Sequence, residues 1–150
     1  MTRKLTRLPL HHIDTSIILE EATSKEGFYC KKYLNIVGYK CKGVISFPVL
    51  SELFFKILNL KTFDEQWDMF DLINSIIKEK RISFYSPKDI SEIDRKIKEV
   101  DITLDSLDRQ ILACAIENRA TLVTIDSKLL RNERIQKEFD IKIRHPKELV

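Results

Sequence analysis

Four carboxylates at well-separated positions, Asp14, Glu52, Asp108 and Asp126, are the side chains of this sequence best suited to chemistry. Asp14 ends the segment LPLHHID (8–14), which reads as a short strand. Asp126 follows the β-branched run TLVTI (121–125), which suits a buried parallel strand. In open α/β sheets, sites form beyond the carboxyl ends of strands, so both acids can reach one edge. Asp108 heads a helical face that continues through Ile111, Leu112 and Ala115, and Glu52 is the only acid in a helix that is apolar almost all round. A carboxylate in such surroundings is costly unless it finds a partner or a metal. Each acid alone has an ordinary explanation: Asp14 and Asp126 could cap helices, Asp108 could complete a capping box with Asp105, and Glu52 could pair with a surface lysine. One shared cation accounts for all four together. Hard cations such as Mg2+ and Mn2+ take oxygen ligands, relieve the repulsion among crowded carboxylates and acidify a bound water for attack on a phosphodiester. Ser16 and Ser127 could add hydroxyls beside such an ion, or simply serve as turn residues.

The elements that must position these acids alternate along the chain. After the 8–14 strand, DTSIILEE opens a helix capped by Asp14 or Thr15, and residues 28–40 carry a second helix. Ser46 precedes FPVLSELFFKILNL, where Pro48 suits a first helical turn and Leu50, Leu53, Phe54, Ile57 and Leu58 keep helical spacing. Thr62 and Glu65 form a capping box for a helix over 63–79, whose face carries Phe63, Trp67, Phe70, Ile73 and Ile77. Residues 81–85 read as a strand, Ser86-Pro87 opens a helix bearing Ile90, Ile93, Ile97 and Val100, and Asp105 caps a helix over 106–118. IKIR (141–144) makes a last strand. The alternation predicts one α/β domain over 1–150, with a central, mostly parallel sheet of four to five strands between two helical layers.

Composition narrows the field. Hydrophobic residues at 43%, beside charged residues at 33%, supply enough apolar material for a core and too much for a disordered chain. A net charge of +3 permits a nucleic-acid partner without demanding one. The basic clusters Lys31–Lys32, Lys40/Lys42 and Lys78/Lys80/Arg81 read as solvated faces. Three cysteines, an odd number without zinc spacing, argue against a disulfide framework and for a reducing, cytoplasmic setting, with Cys114 a small core residue. No run approaches the ~18 apolar residues of a membrane span, and no apolar run follows the basic Arg3, Lys4 and Arg7 as a signal peptide requires. With 3 glycines in total, neither G-x-G-x-x-G nor G-x-x-x-x-G-K-[ST] is present, which removes the common nucleotide-binding loops. His11-His12 sits on a strand with its two rings facing opposite sides, His145 lies in a terminal turn and reads as solvated, and Trp67 with Phe63 and Phe70 reads as core or dimer interface.

The segments IDTSIIL (13–19), VLSELFFKIL (49–58) and LDRQILACAIENRATLVTIDSKLL (107–130), with the ending IKIRHPKELV, resemble the PIN-domain family, most of all VapC-type toxin ribonucleases and stand-alone archaeal PIN proteins. Single motifs such as DTS are weak, but their order and spacing span nearly the whole chain. The resemblance aligns Asp14, Glu52, Asp108 and Asp126 with the family's acids and Thr124 with the threonine of its strand-ending T-x-D. It implies Mg2+ or Mn2+ ligation, endonucleolytic cleavage of RNA, a homodimer and, in the toxin branch, an antitoxin that blocks the site. An RNA-processing or decay nuclease, and a non-catalytic RNA- or protein-binding scaffold, are the alternatives. Two departures stand out. Arg119-Ala120 occupies a loop where the family often has glycine, and Asp105 offers a second acid three residues before Asp108.

Overall fold

Five short parallel strands in the order β3-β2-β1-β4-β5 form the centre of the molecule. The computed structural model describes residues 7–20 and 23–150; Arg3, Lys4 and Glu21 of the sequence reading lie outside them. The strands are β1 (Leu10–Ile13), β2 (Lys42–Ser46), β3 (Ser83–Tyr85), β4 (Thr121–Val123) and β5 (Ile143–Arg144). The helices are α1 (Thr15–Leu19), α2 (Lys25–Ile36), α3 (Phe47–Leu58), α4 (Phe63–Glu79), α5 (Ser91–Val100), α6 (Ser106–Glu117), α7 (Ser127–Leu130) and α8 (Glu133–Phe139), followed by a 3-10 turn over Pro146–Glu148. All four strand pairings are parallel, so every connection crosses over through helix, as the alternating pattern requires.

The chain leaves β1 toward β2 and β3, then returns to place β4 on the other side of β1. That reversal creates a switch point between β1 and β4, the place where an open parallel sheet leaves a crevice at its carboxyl edge. Three consecutive residues of β1 and β4 are in register, ending at Ile13 opposite Val123. The Asp14 amide donates to Val123 O at 3.0 Å, fixing the chain as it leaves the sheet.

The core explains this rigidity. Ile13, Ile45, Leu122 and Val123 on the strands are fully buried, as are Val49 of α3 and Ile111, Leu112, Ala113, Cys114 and Ala115 of α6. Five consecutive buried residues mean α6 is covered on every side through its middle, and its small Ala and Cys residues allow that close approach. Burial of a Leu or Ile of this kind contributes about 1.5–3 kcal/mol.

Several boundaries differ from the sequence reading, each for a local reason. The strand β2 was not foreseen: only Val44 and Ile45 of K-G-V-I-S are large and apolar, and the strand runs straight into α3. Helix α2 spans 25–36 rather than 28–40, because the Ser24 hydroxyl accepts the Gly27 amide at 2.8 Å and Gly38, at φ +84°, turns the chain back. Helix α5 begins at Ser91 rather than behind Pro87, where Asp89 Oδ1 accepts the Ser91 amide and hydroxyl. Helix α8, capped by Asn132, was also unforeseen. His145 is buried, not solvated: the Pro146 turn folds back onto α2, where its ring bonds Glu26 and meets the edge of Tyr29. Phe63, Trp67 and Phe70 stack edge-to-face on one another but are solvent-exposed, so they are not part of this chain's core.

Candidate active site

Asp14 is the first residue beyond β1 and occupies the N-cap position of α1, yet its side chain caps nothing. The carboxylate turns into the protein, 7% exposed, and its Oδ2 accepts hydrogen bonds from Ser16 Oγ and Thr124 Oγ1, both at 2.8 Å. Thr124 Oγ1 also accepts the Asp126 amide at 3.0 Å, and Ser16 Oγ the Ile125 amide at 3.4 Å. Two hydroxyls thus stitch the exit of β1 to the exit of β4 around one carboxylate oxygen. Burial pushes the Asp14 carboxyl up, against hydrogen bonds from Ser16, Thr124 and the Thr15 backbone that pull it down, and Asp126 nearby adds to the rise.

Asp105 and Asp108 divide the labour at the start of α6. Asp105 Oδ1 accepts the Asp108 amide at 2.8 Å and is the helix cap. Asp108 is thereby left half-buried with its carboxylate uncommitted. Burial first, then the neighbouring charges of Asp105, Asp126, Asp14 and Glu52, push its pKa to about 7. Glu52, on α3, is raised by burial and by Asp14, against the lowering effect of Lys56 one turn away. The four acids singled out by the sequence therefore converge on one electrostatic neighbourhood. Asp126 keeps part of its ordinary role, since its Oδ1 accepts the Lys128 amide at the start of α7.

Among the described residues, none of Asp14, Glu52, Asp105, Asp108 and Asp126 makes an ion pair within 4.0 Å. Arg109, next in sequence to Asp108, is engaged elsewhere: its Nε donates to Asp94 Oδ1 at 3.2 Å and its guanidinium to Leu104 O. Thr15 Oγ1 is buried beside Glu52 and makes no hydrogen bond of full length and angle. The sequence offers Thr15 only as an alternative helix cap, with no signal that its hydroxyl faces Glu52.

These features bear on whether the donors suit a divalent cation. Among the described residues no three His, Cys, Asp or Glu side chains form a closed ligand cage. Mg2+ rarely uses such a cage; it keeps several waters and takes one or two carboxylates. Crowded carboxylates without an ion pair among the described residues, and an all-oxygen donor set, fit that mode of binding. His11 and His12 are not part of it: His11 Nδ1 lies 2.7 Å from the Tyr33 hydroxyl and His12 Nε2 2.9 Å from Ser46 Oγ. Burial pushes the His12 ring down to about 4, so it is a neutral core residue.

Comparison with known proteins agrees with the architecture. The chain aligns with VapBC2 from Rickettsia felis, solved bound to a DNA fragment from their promoter, at a TM-score of 0.68 and 19% identity, over 91% of this chain and 98% of that one. FitAcB from Neisseria gonorrhoeae aligns at 0.68 and 17% identity, over 91% and 97%. VapBC-1 from nontypeable Haemophilus influenzae aligns at 0.67 and 16%, over 92% and 98%. No match among curated proteins reaches significance. Residues 12–135 match the family model described as PIN domain, from the second residue before Asp14 to the middle of α8. The chain belongs to the PIN domain family.

Proposed function

We propose that this chain is a Mg2+- or Mn2+-dependent endoribonuclease acting as a single domain over residues 1–150 in the cytoplasm, and that it is the toxin of a toxin–antitoxin pair. The observation that carries the nuclease reading is the buried, cation-free carboxylate of Asp14, held by Ser16 and Thr124 and sharing its electrostatic neighbourhood with Glu52, Asp108 and Asp126. In this reading those four acids hold the metal. A bound divalent ion would supply an acidified water and charge stabilisation at the phosphodiester. Thr124 and Ser16 orient Asp14 by fixing Oδ2. Asp108, poised near neutrality, gives up its proton when a cation arrives, so cation binding and proton release are linked.

Partner binding is supported by a second feature. Phe47, Phe55, Leu58 and Phe63 on the α3–α4 side are 65–71% exposed, and Trp67 is half-exposed. Large apolar groups gathered on one face mark a protein interface more often than a solvated surface. A homodimer and an antitoxin are the partners we assign, in line with the VapBC names of the structural neighbours.

The test is cleavage of a structured RNA by purified protein with Mg2+ or Mn2+, beside EDTA and Asp14→Asn controls. Cutting that vanishes in both controls is the expected result. A folded wild type that neither binds metal nor cuts across several RNAs would leave only the scaffold alternative.

A further inference from the structure

The lysine-rich clusters near the sheet stand at the wrong edge to meet a substrate. Lys40 and Lys42 lead into β2, and Lys78, Lys80 and Arg81 lead into β3, so both groups lie at the amino edge of the sheet. Next to the acids the candidate cations are single residues: Lys56 one turn from Glu52 on α3, Lys128 on α7 and Arg131 just beyond it. All three are exposed, and none makes an ion pair within 4.0 Å among the described residues.

Strand order sets where these residues fall. Strands β2, β1 and β4 are adjacent, so Glu52's helix, Asp14 and Asp126 follow one another along the edge at steps of about 4.8 Å per strand. Lys56 is one turn from Glu52 and close enough to lower its carboxyl. Lys128 donates its amide to Asp126. The acid row therefore has Lys56 at one end and Lys128 with Arg131 at the other. Lys128 and Arg131, with Arg134, line an open depression of about 400 Å³ together with Asp101, Asn132 and Glu133. A row of carboxylates repels a polyanion, so a phosphate backbone can lie across it only if flanking cations hold it there.

We propose that Lys56 on one side, and Lys128 with Arg131 on the other, hold backbone phosphates of a nucleic-acid strand laid across the acid row, one contact point on each side of the bond to be cut. The assignment rests on the nuclease reading. These cations touch parts of the substrate that do not react, so they set binding and register rather than the chemical step.

The experiment measures binding of a fluorescent single-stranded RNA to the full chain in EDTA, between about 50 and 200 mM salt, where each phosphate contact contributes about −0.7 to the slope of log K against log salt. Lys128→Ala/Arg131→Ala is expected to flatten the slope by about 1.4 and Lys56→Ala by about 0.7. Lys40→Ala/Lys78→Ala at the opposite edge should leave it unchanged. In Mn2+ the first two variants should raise KM while keeping kcat. Slopes and KM that match wild type, an equal fall in the opposite-edge pair, or no binding by wild type would overturn the assignment. If wild type cuts normally and the variants are indistinguishable from it, the phosphate contacts fail and the nuclease stands. If the slopes fall as expected but wild type never cuts with either metal, the nuclease reading fails and the contacts stand.

Discussion

The two edges of the sheet solve different problems. At the amino edge, each helix must hand the chain back to a strand, and four such turns use left-handed backbone: Gly38 before β2, Arg81 before β3, Arg119 before β4 and Asp140 before β5. These positions serve chain reversal, and the lysines around them are solvated. At the carboxyl edge the loops leave the strands in extended conformation and deliver carboxylates: Asp14 after β1, Asp126 after β4. There Ser16, Thr124 and Asp105 satisfy backbone groups and fix the acids, and among the described residues none of the acids makes an ion pair within 4.0 Å. Damage at the amino edge should cost stability and spare chemistry, and damage at the carboxyl edge should do the reverse.

The largest effect expected is on cleavage. Asp14→Asn should lower the rate by more than about 100-fold, beyond the ~10–100-fold typical of losing a residue that only supports a ligand. It should leave the fold intact, because it removes a buried charge that has no counter-ion. Thr124→Val keeps the shape of a fully buried side chain and removes its hydrogen bonds to Asp14 and from the Asp126 amide, so a loss of about 10–100-fold in cleavage is expected, with a destabilisation of about 1–3 kcal/mol from the freed amide. Equal activity in Thr124→Val would mean Asp14 needs no fixing.

The amino edge gives the opposite pattern. Gly38→Ala would set a Cβ 2.6 Å from Lys80 O at φ +84°, and should cost about 1–3 kcal/mol in urea unfolding while activity per folded molecule persists.

The smallest effect is the pH dependence of the metal-free protein. The folded-state pKa of Asp108, about 7, lies above that of an ordinary carboxyl, so the folded chain retains a proton that the unfolded chain has lost. Its contribution is full below the ordinary value and is lost as pH rises toward about 7. Asp108→Asn should therefore be neutral in EDTA near pH 4 and stabilising near pH 8, as read by thermal melts. A substitution that destabilises equally at both pH values would mean Asp108 is structural.

Legibility in the sequence followed the same divide. Asp126 could be found because a polar residue ending an apolar, β-branched run is a strong local signal, and Asp14 because it stands between a short strand and an apolar helical run. Helices α3, α4 and α6 were legible from spacing and capping. Strand β2 was not, because five residues with two large aliphatics carry no periodicity. The roles of Asp105 and Asp108 could not be separated from sequence, since a cap is decided by which oxygen meets which amide. Lys56, Lys128 and Arg131 were invisible as a set, because only the strand order brings their helices to one edge. Trp67 and its neighbours have core-like spacing and are nevertheless exposed, since periodicity marks an apolar face without saying whether the same chain covers it.

The most direct test of the carboxyl edge is a calorimetric titration of Mn2+ into the full chain near pH 8 and near pH 5.5, for wild type and Asp14→Asn. Saturable binding near pH 8 that weakens near pH 5.5, releases protons and disappears in Asp14→Asn is the expected result. Binding that is absent in wild type, or that survives unchanged in Asp14→Asn, would contradict a metal-holding role for these acids.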